Sequence, residues 1–179
     1  MSLRLFAAIA IPAEMAQALQ RLQRGVPRAR WRDPNSLHVT LRFFGEAPER
    51  AADDLDGELG AIAAKSFDLV IRGAGHFGGA DPHALYLGVE PHPALLALAE
   101  KCDRAALRAR RAREPRDYLP HVTMAYLDPG TNLDRVMAFS RRLALFRAAP
   151  FRVERFGLYS SWLGSRQSSY QLERDYPLS

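Results

Sequence analysis

Leu37-His38-Val39-Thr40-Leu41-Arg42-Phe43-Phe44 alternates residue by residue and predicts a strand, with Leu37, Val39, Leu41 and Phe43 on one face and His38, Thr40, Arg42 and Phe44 on the other. Gly45 is expected to end it. The centre of this stretch, His38-Val39-Thr40-Leu41, returns as His121-Val122-Thr123-Met124 in a chain that holds only 5 histidines. Side chains two apart on a strand share a face, so each copy sets an imidazole beside a hydroxyl, with a valine buried beneath them.

Each copy opens a similar run of elements. After the first, a helix is expected from Pro48 to about Ala64, a strand from Phe67 to Arg72, a glycine-rich loop from Gly73 to Pro82 and a strand from Ala84 to Glu90. After the second, the same reading gives a helix from about Leu133 to Leu145, a strand from Phe151 to Tyr159, a Ser/Gly loop and a strand around Ser169 to Arg174. The spacings from His38 to Phe67 and Tyr86 match those from His121 to Phe151 and Tyr170 to within one residue. The repetition predicts two similar lobes, each with a His-x-Thr strand, a helix and two further strands. A strand over residues 3–10 and a helix over 13–24, with Met15, Leu19 and Leu22 on one face, precede the first copy. Between the copies, Pro91 opens a long basic helix running to about Arg113. No low-complexity linker separates the halves, so residues 1–179 are expected to form one domain of two packed lobes.

Composition narrows the function classes. The chain has 179 residues, 47% hydrophobic and 25% charged, as ordinary globular folds do. The apolar run ending at Pro12 is short for a signal peptide and reads as a buried first strand, and no stretch approaches the ~18 residues of a membrane span. Cys102 has no disulfide partner within the chain and reads as an apolar filler on a helix, which fits a cytoplasmic setting. The net charge is +5, and every basic residue except Lys65 and Lys101 is arginine. Arginines cluster at Arg21, Arg24, Arg28, Arg30 and Arg32, and again at Arg104, Arg108, Arg110, Arg111, Arg113 and Arg116. Guanidinium groups suit phosphate oxygens, so a polyanionic partner is expected.

One His-x-Thr alone would be an ordinary strand histidine bonded to its threonine. Two, at equivalent points of a repeated half, point to a shared site. Phosphodiester cleavage needs a base for the attacking oxygen and an acid for the leaving one, and two imidazoles supply both near neutral pH. The threonine hydroxyls are suited to donate to non-bridging phosphate oxygens, where charge gathers in the transition state. No metal is expected, because the motifs carry no carboxylate or thiolate at ligand spacing and His76, His83 and His92 lie in Gly/Pro-rich turns, expected to face solvent. No glycine-framed serine elbow is present, and Cys102 lies in the basic helix.

Several stretches carry a family likeness. They are Arg4-Leu5-Phe6-Ala7-Ala8-Ile9-Ala10-Ile11-Pro12, Trp31 through Pro34 with Leu37, His38-Val39-Thr40-Leu41-Arg42-Phe43-Phe44-Gly45 and Pro120-His121-Val122-Thr123, then Phe156-Gly157-Leu158-Tyr159-Ser160, Tyr170 and Tyr176-Pro177-Leu178. In these the sequence resembles the two-histidine phosphoesterase superfamily, and within it the RNA 2′,3′-cyclic phosphodiesterases, also called 2′-5′ RNA ligases of the LigT type. The resemblance implies a bilobal α+β fold with pseudo-symmetric lobes of antiparallel sheet, helices outside and an active-site groove between. It implies hydrolysis of a terminal 2′,3′-cyclic phosphate to a 2′-phosphate, together with 2′-5′ ligase activity, without metal or other cofactor. His121 would be the proton acceptor, His38 the proton donor, and Thr40 and Thr123 would hold the phosphate; the residues themselves do not assign acid and base, because the halves look alike.

The expected partner is RNA with a 2′,3′-cyclic phosphate terminus, met by a monomer away from any membrane. Family members often carry a cation three residues after the second threonine, where this chain has Tyr126. Arg42 is a candidate substitute, since its parity places it on the His38 face. Two alternatives stay open on the same residues: a non-catalytic RNA-binding module, and a phosphodiesterase for a small cyclic nucleotide phosphate or a 2′-5′ oligonucleotide.

Overall fold

Antiparallel pairing draws the chain into one 8-stranded sheet with a 2-stranded sheet beside it. The computed structural model describes residues 2–163 and 168–179. Its elements are β1 (Ser2–Ala10), α1 (Ala13–Gln20), β2 (Arg30–Trp31), β3 (His38–Pro48), α2 (Glu49–Gly60), β4 (Phe67–Leu69), β5 (Ile71–Phe77), β6 (Ala84–Val89), α3 (Pro93–Arg108), β7 (His121–Tyr126), α4 (Leu133–Arg142), β8 (Phe151–Val153), β9 (Arg155–Leu163) and β10 (Ser168–Pro177). The strand order is β10-β9-β1-β3-β7-β6-β5, with β2 added on β7 and β4 paired with β8 in the small sheet. This is the α+β, antiparallel, two-lobed arrangement expected. Among the described residues no helix is long and apolar enough to cross a membrane.

The two halves repeat in chain order but not in place. β1 and β7 fill both edges of β3, so the strands that follow β3 in sequence add on beyond β7 as β6 and β5. Likewise β9 and β10, which follow β7, lie beyond β1 on the β3 side. Each lobe is therefore assembled from both halves, which corrects the expectation that each half folds into its own lobe. Helices α2 and α3 pack on the β3 lobe and α4 packs against β5. In α3 the buried positions Leu95, Leu98, Ala99, Cys102, Ala105 and Ala106 recur at helical spacing and turn one apolar stripe inward.

Some boundaries differ from the periodicity. The glycine-rich run after Gly73 is strand as far as Phe77. Helix α3 stops at Arg108 because Arg110 takes a left-handed φ of 57°, which a continuing helix cannot contain. Of the expected Ser/Gly loop before Ser169, residues 164–167 lie outside the described residues.

The largest difference lies in β3, which continues through Gly45 to Pro48. Ala8 pairs with Thr40 while Ala7 pairs with Arg42, so Leu41 is an extra residue; Phe6 pairs with Phe43 and Leu5 with Gly45, so Phe44 is another. Such bulges reverse the alternation, and Gly45 meets the second with a φ of 72°, the left-handed backbone that favours glycine. As a result Arg42 is only 6% exposed while Phe43 is 42% exposed. Arg42 donates from Nε to Asp103 at 2.8 Å, pairs with Glu114 at 3.4 Å and donates to the carbonyls of Phe43 and Ala112. The bulge thus turns Arg42 off the His38 face and makes it a tie between β3, α3 and the loop that follows. Removing the guanidinium would leave Asp103 and Glu114 only the exposed Arg113 and Arg116 as partners and would take the donor from the Phe43 and Ala112 carbonyls. Arg42→Met should therefore cost about 2–4 kcal/mol in chemical denaturation. Loss of phosphate affinity at unchanged stability would instead give Arg42 a binding role.

Candidate active site

The two motifs meet where Val39 pairs with Val122. Both valines are fully buried, and the residues on either side of each turn to the opposite face. In an antiparallel register centred there, His38 stands across from Thr123 and Thr40 from His121. All four side chains line one cleft of about 1170 Å³, together with Phe6, Arg32, Tyr126 and Tyr170.

Both imidazoles are held in the same way. Nδ1 of His38 meets the carbonyl of Ser36 at 2.7 Å, and Nδ1 of His121 meets the carbonyl of Leu119 at 2.7 Å. A carbonyl only accepts, so Nδ1 carries the proton and the neutral ring presents an unprotonated Nε2. Aromatic rings fix each plane: Phe6 at 5.0 Å and Tyr170 at 5.1 Å flank His38, while Phe77 at 4.9 Å and Tyr86 at 5.6 Å flank His121. Tyr86 and Tyr170 hold equivalent places in the repeat, yet each supports the histidine of the other half, as the strand exchange requires. The Tyr118 hydroxyl donates to the Thr40 carbonyl at 3.0 Å, which holds that strand. The Thr40 and Thr123 hydroxyls themselves make no hydrogen bond among the described residues and border the cleft.

The remaining candidates are placed differently from the two motifs. Arg42 stands in the cleft wall with its donors engaged by Asp103, Glu114 and backbone carbonyls. His76 meets the Gly79 carbonyl at 3.0 Å, and His83 is exposed at the cleft. His92 differs from the expected solvent-facing role: its Nδ1 accepts from the Ala94 N–H at 3.1 Å and caps α3. Among the described residues no three His, Cys, Asp or Glu side chains gather as a metal site.

The second arginine cluster is largely engaged within the protein. Arg104 pairs with Glu100 and Arg108 with Glu58, Arg116 pairs with Glu114 at 3.2 Å, and Arg111 donates to the Phe44 and Glu46 carbonyls at 3.0 and 2.6 Å. In the first cluster Arg30 pairs with Asp128 at 3.5 Å, while Arg21, Arg24 and Arg28 carry no ion pair among the described residues. Sequence placed Arg32 within this cluster and within the Trp31 to Pro34 stretch, but did not single it out as a site residue. It is in fact 4% exposed, with its guanidinium 5.6 Å from the Tyr126 ring and 5.0 Å from the Tyr170 ring. Nothing in periodicity marks it, because β2 ends at Trp31 and the aromatic partners come from distant strands.

Desolvation sets the protonation of the pair, since burial penalises an imidazolium and lowers its pKa. His38 is brought down to about 4 by burial, against the opposing Ser36 hydrogen bond and with further lowering from Arg32 and His121. Burial also lowers His121, against the Leu119 hydrogen bond. Both rings are therefore neutral in the free protein at neutral pH. An NMR titration should show both imidazoles protonating below their ordinary range, His38 the lower of the two. A His38 that protonates at or above about 6.5 would overturn this account.

The cleft belongs to a scaffold shared with known proteins. A family model described as the 2′-5′ RNA ligase superfamily matches residues 11–162. An RNA 2′,3′-cyclic phosphodiesterase of Geobacillus stearothermophilus is 31% identical over 127 residues, which are 67% of this chain and 40% of that relative. An RNA 2′,3′-cyclic phosphodiesterase of Aeropyrum pernix is 28% identical over 149 residues, 82% of this chain and 84% of the relative. E. coli LigT, solved in complex with 3′-AMP, superposes with a TM-score of 0.79 at 23% identity, covering 100% of this chain and 99% of its own, and shows the fold. The matched span takes in both His-x-Thr strands and most of the residues that line the cleft, and the chain belongs to the 2′-5′ RNA ligase superfamily.

Proposed function

We propose that this chain is an RNA 2′,3′-cyclic phosphodiesterase, acting as a single domain over residues 1–179 with no metal or other cofactor. One observation carries the reading: two imidazoles, each tethered through Nδ1 to the carbonyl two residues before it so that Nε2 is the nitrogen left over, line one cleft that two threonine hydroxyls, unengaged among the described residues, also border. Relatives named for this activity support it.

In this mechanism water attacks phosphorus, a new P–O bond forms and the P–O3′ bond breaks. His121 takes the water proton on Nε2, and His38 delivers a proton from Nε2 to the departing O3′. Thr40 and Thr123 donate to the non-bridging oxygens as charge builds there. The free site holds His38 neutral, so this acid role requires the substrate to raise its proton affinity. A phosphodiester anion does so, because it offsets the Arg32 charge that helps keep the ring unprotonated. With a 5′-hydroxyl in place of water, the same bond changes would leave a 2′-5′ linkage.

Hydrolysis of an oligonucleotide ending in a 2′,3′-cyclic phosphate, assayed with EDTA present, tests the proposal. Wild type should turn over, and His38→Ala and His121→Ala should each lose at least roughly 100-fold in rate. Tight RNA binding without turnover would make the protein a binding module instead. Thr40→Val and Thr123→Val should each lower kcat by roughly 10- to 1000-fold with little loss of stability, and unchanged rates would remove them from the reaction.

A further inference from the structure

We propose that Arg32 is the anion-binding residue of the cleft, where its guanidinium, set between Tyr126 and Tyr170, receives a phosphate-ester oxygen beside His38. The proposal deepens the phosphodiesterase reading, since it rests on the cleft taking a phosphate ester.

The charges around the cleft single Arg32 out. The arginines that line it among the described residues are Arg4, Arg32, Arg42, Arg113 and Arg116. Arg42 is paired with Asp103 and Glu114, Arg113 reaches Asp103 at 3.8 Å and Arg116 reaches Glu114 at 3.2 Å. Arg4 is exposed to water. Arg32 alone among them is both buried and without a carboxylate partner among the described residues. A guanidinium withdrawn from water without a counter-ion is unfavourable. Its compensation here is two aromatic faces and one hydrogen bond, from Nη2 to the Ser168 carbonyl at 3.2 Å. Those contacts hold the cation without a counter-charge among the described residues, and among those residues only Nη2 is engaged, which leaves the other N–H donors for a planar oxygen pair.

The backbone fixes where that charge lies. The Arg32 N–H donates to the Met124 carbonyl at 2.8 Å, and Gln23 Nε2 donates to the Arg32 carbonyl at 2.8 Å. Arg32 is thereby anchored to β7, the strand that carries His121 and Thr123. The Tyr170 ring lies 5.0 Å from the Arg32 guanidinium and 5.1 Å from the His38 ring, so the three form a continuous row. Arg32 and His38 line the same cleft and the Arg32 charge acts on the His38 ring, so an anion meeting Arg32 is within electrostatic reach of His38. Tyr126, 40% exposed, serves in this arrangement as the platform on which a cation from another strand rests. No comparable cation stacks on Phe77 or Tyr86 beside His121 among the described residues, so the otherwise matched halves differ in charge at this point.

The test is a binding measurement that needs no turnover. Inorganic phosphate and 2′-AMP are titrated into wild type, Arg32→Gln, Arg32→Met and Arg32→Lys by calorimetry. Loss of a charge-assisted pair should weaken binding roughly 10- to 100-fold in the Gln and Met variants, with part retained by Lys. By NMR, His38 in the free Arg32→Gln variant should protonate at a higher pH than in wild type, while in Arg32→Lys, which keeps the charge, it should stay near wild type; an equal rise in both would report lost burial and overturn the charge role. Should the neutral variants fail to fold, wild type still decides. Its Arg32 Nε–Hε resonance should shift as phosphate binds, and an unmoved resonance overturns the proposal.

Phosphate affinity unchanged in Arg32→Gln, or no phosphate binding by wild type at millimolar concentration, overturns it too. Phosphate captured through Arg32 without hydrolysis would uphold this site and remove the phosphodiesterase reading. Hydrolysis by Arg32→Gln with wild-type KM and kcat would do the reverse.

Discussion

Everything in the site depends on the pairing of Val39 with Val122. Here the two lobes' strands meet, and the register set at this point places four functional side chains on one side of a buried pair. A slip of one residue would turn every side chain of one strand to the other face and replace a histidine and threonine with valine. The two valines, with no polar atoms of their own, thus fix the relation of two imidazoles and two hydroxyls. Their burial also supplies the energetic reason that the register does not drift.

The strand exchange between halves reinforces this junction. Because β6 and β5 attach to β7, and β9 attaches to β1, neither half of the chain completes a lobe without the other. The rings that orient the histidines follow the same rule: Tyr170 from the second half supports His38 and Tyr86 from the first supports His121. Orientation at the site is therefore a product of the assembled sheet rather than of either motif. The i−2 carbonyl contacts through Nδ1 are local by contrast, and each strand entrance brings its own.

Charge separates the two sides of an otherwise balanced cleft. Burial depresses both imidazoles, but only His38 is also lowered by Arg32. Arg42, adjacent in kind and nearer in sequence to the first motif, is committed to Asp103 and Glu114. One arginine is thus a structural tie and the other a buried cation facing the cavity, and the backbone rather than the residue type separates their roles.

The repeated His-Val-Thr, its alternation and the matched distances to Tyr86 and Tyr170 were legible from sequence, because they depend on strand periodicity and on the order of elements along the chain. The α+β class and the family likeness followed from the same residues. The bulges at Leu41 and Phe44 were not legible, since an extra residue in a strand is created by the register of its partner, and β1 alone sets that register. For the same reason parity pointed to Arg42 and overlooked Arg32. Sequence by itself determined which chemistry the chain carries: two imidazoles, two hydroxyls and an excess of guanidinium groups. Only tertiary structure decided which guanidinium is buried on the His38 side of the cleft and which half supports each ring, because those relations arise from pairing between residues far apart in the chain.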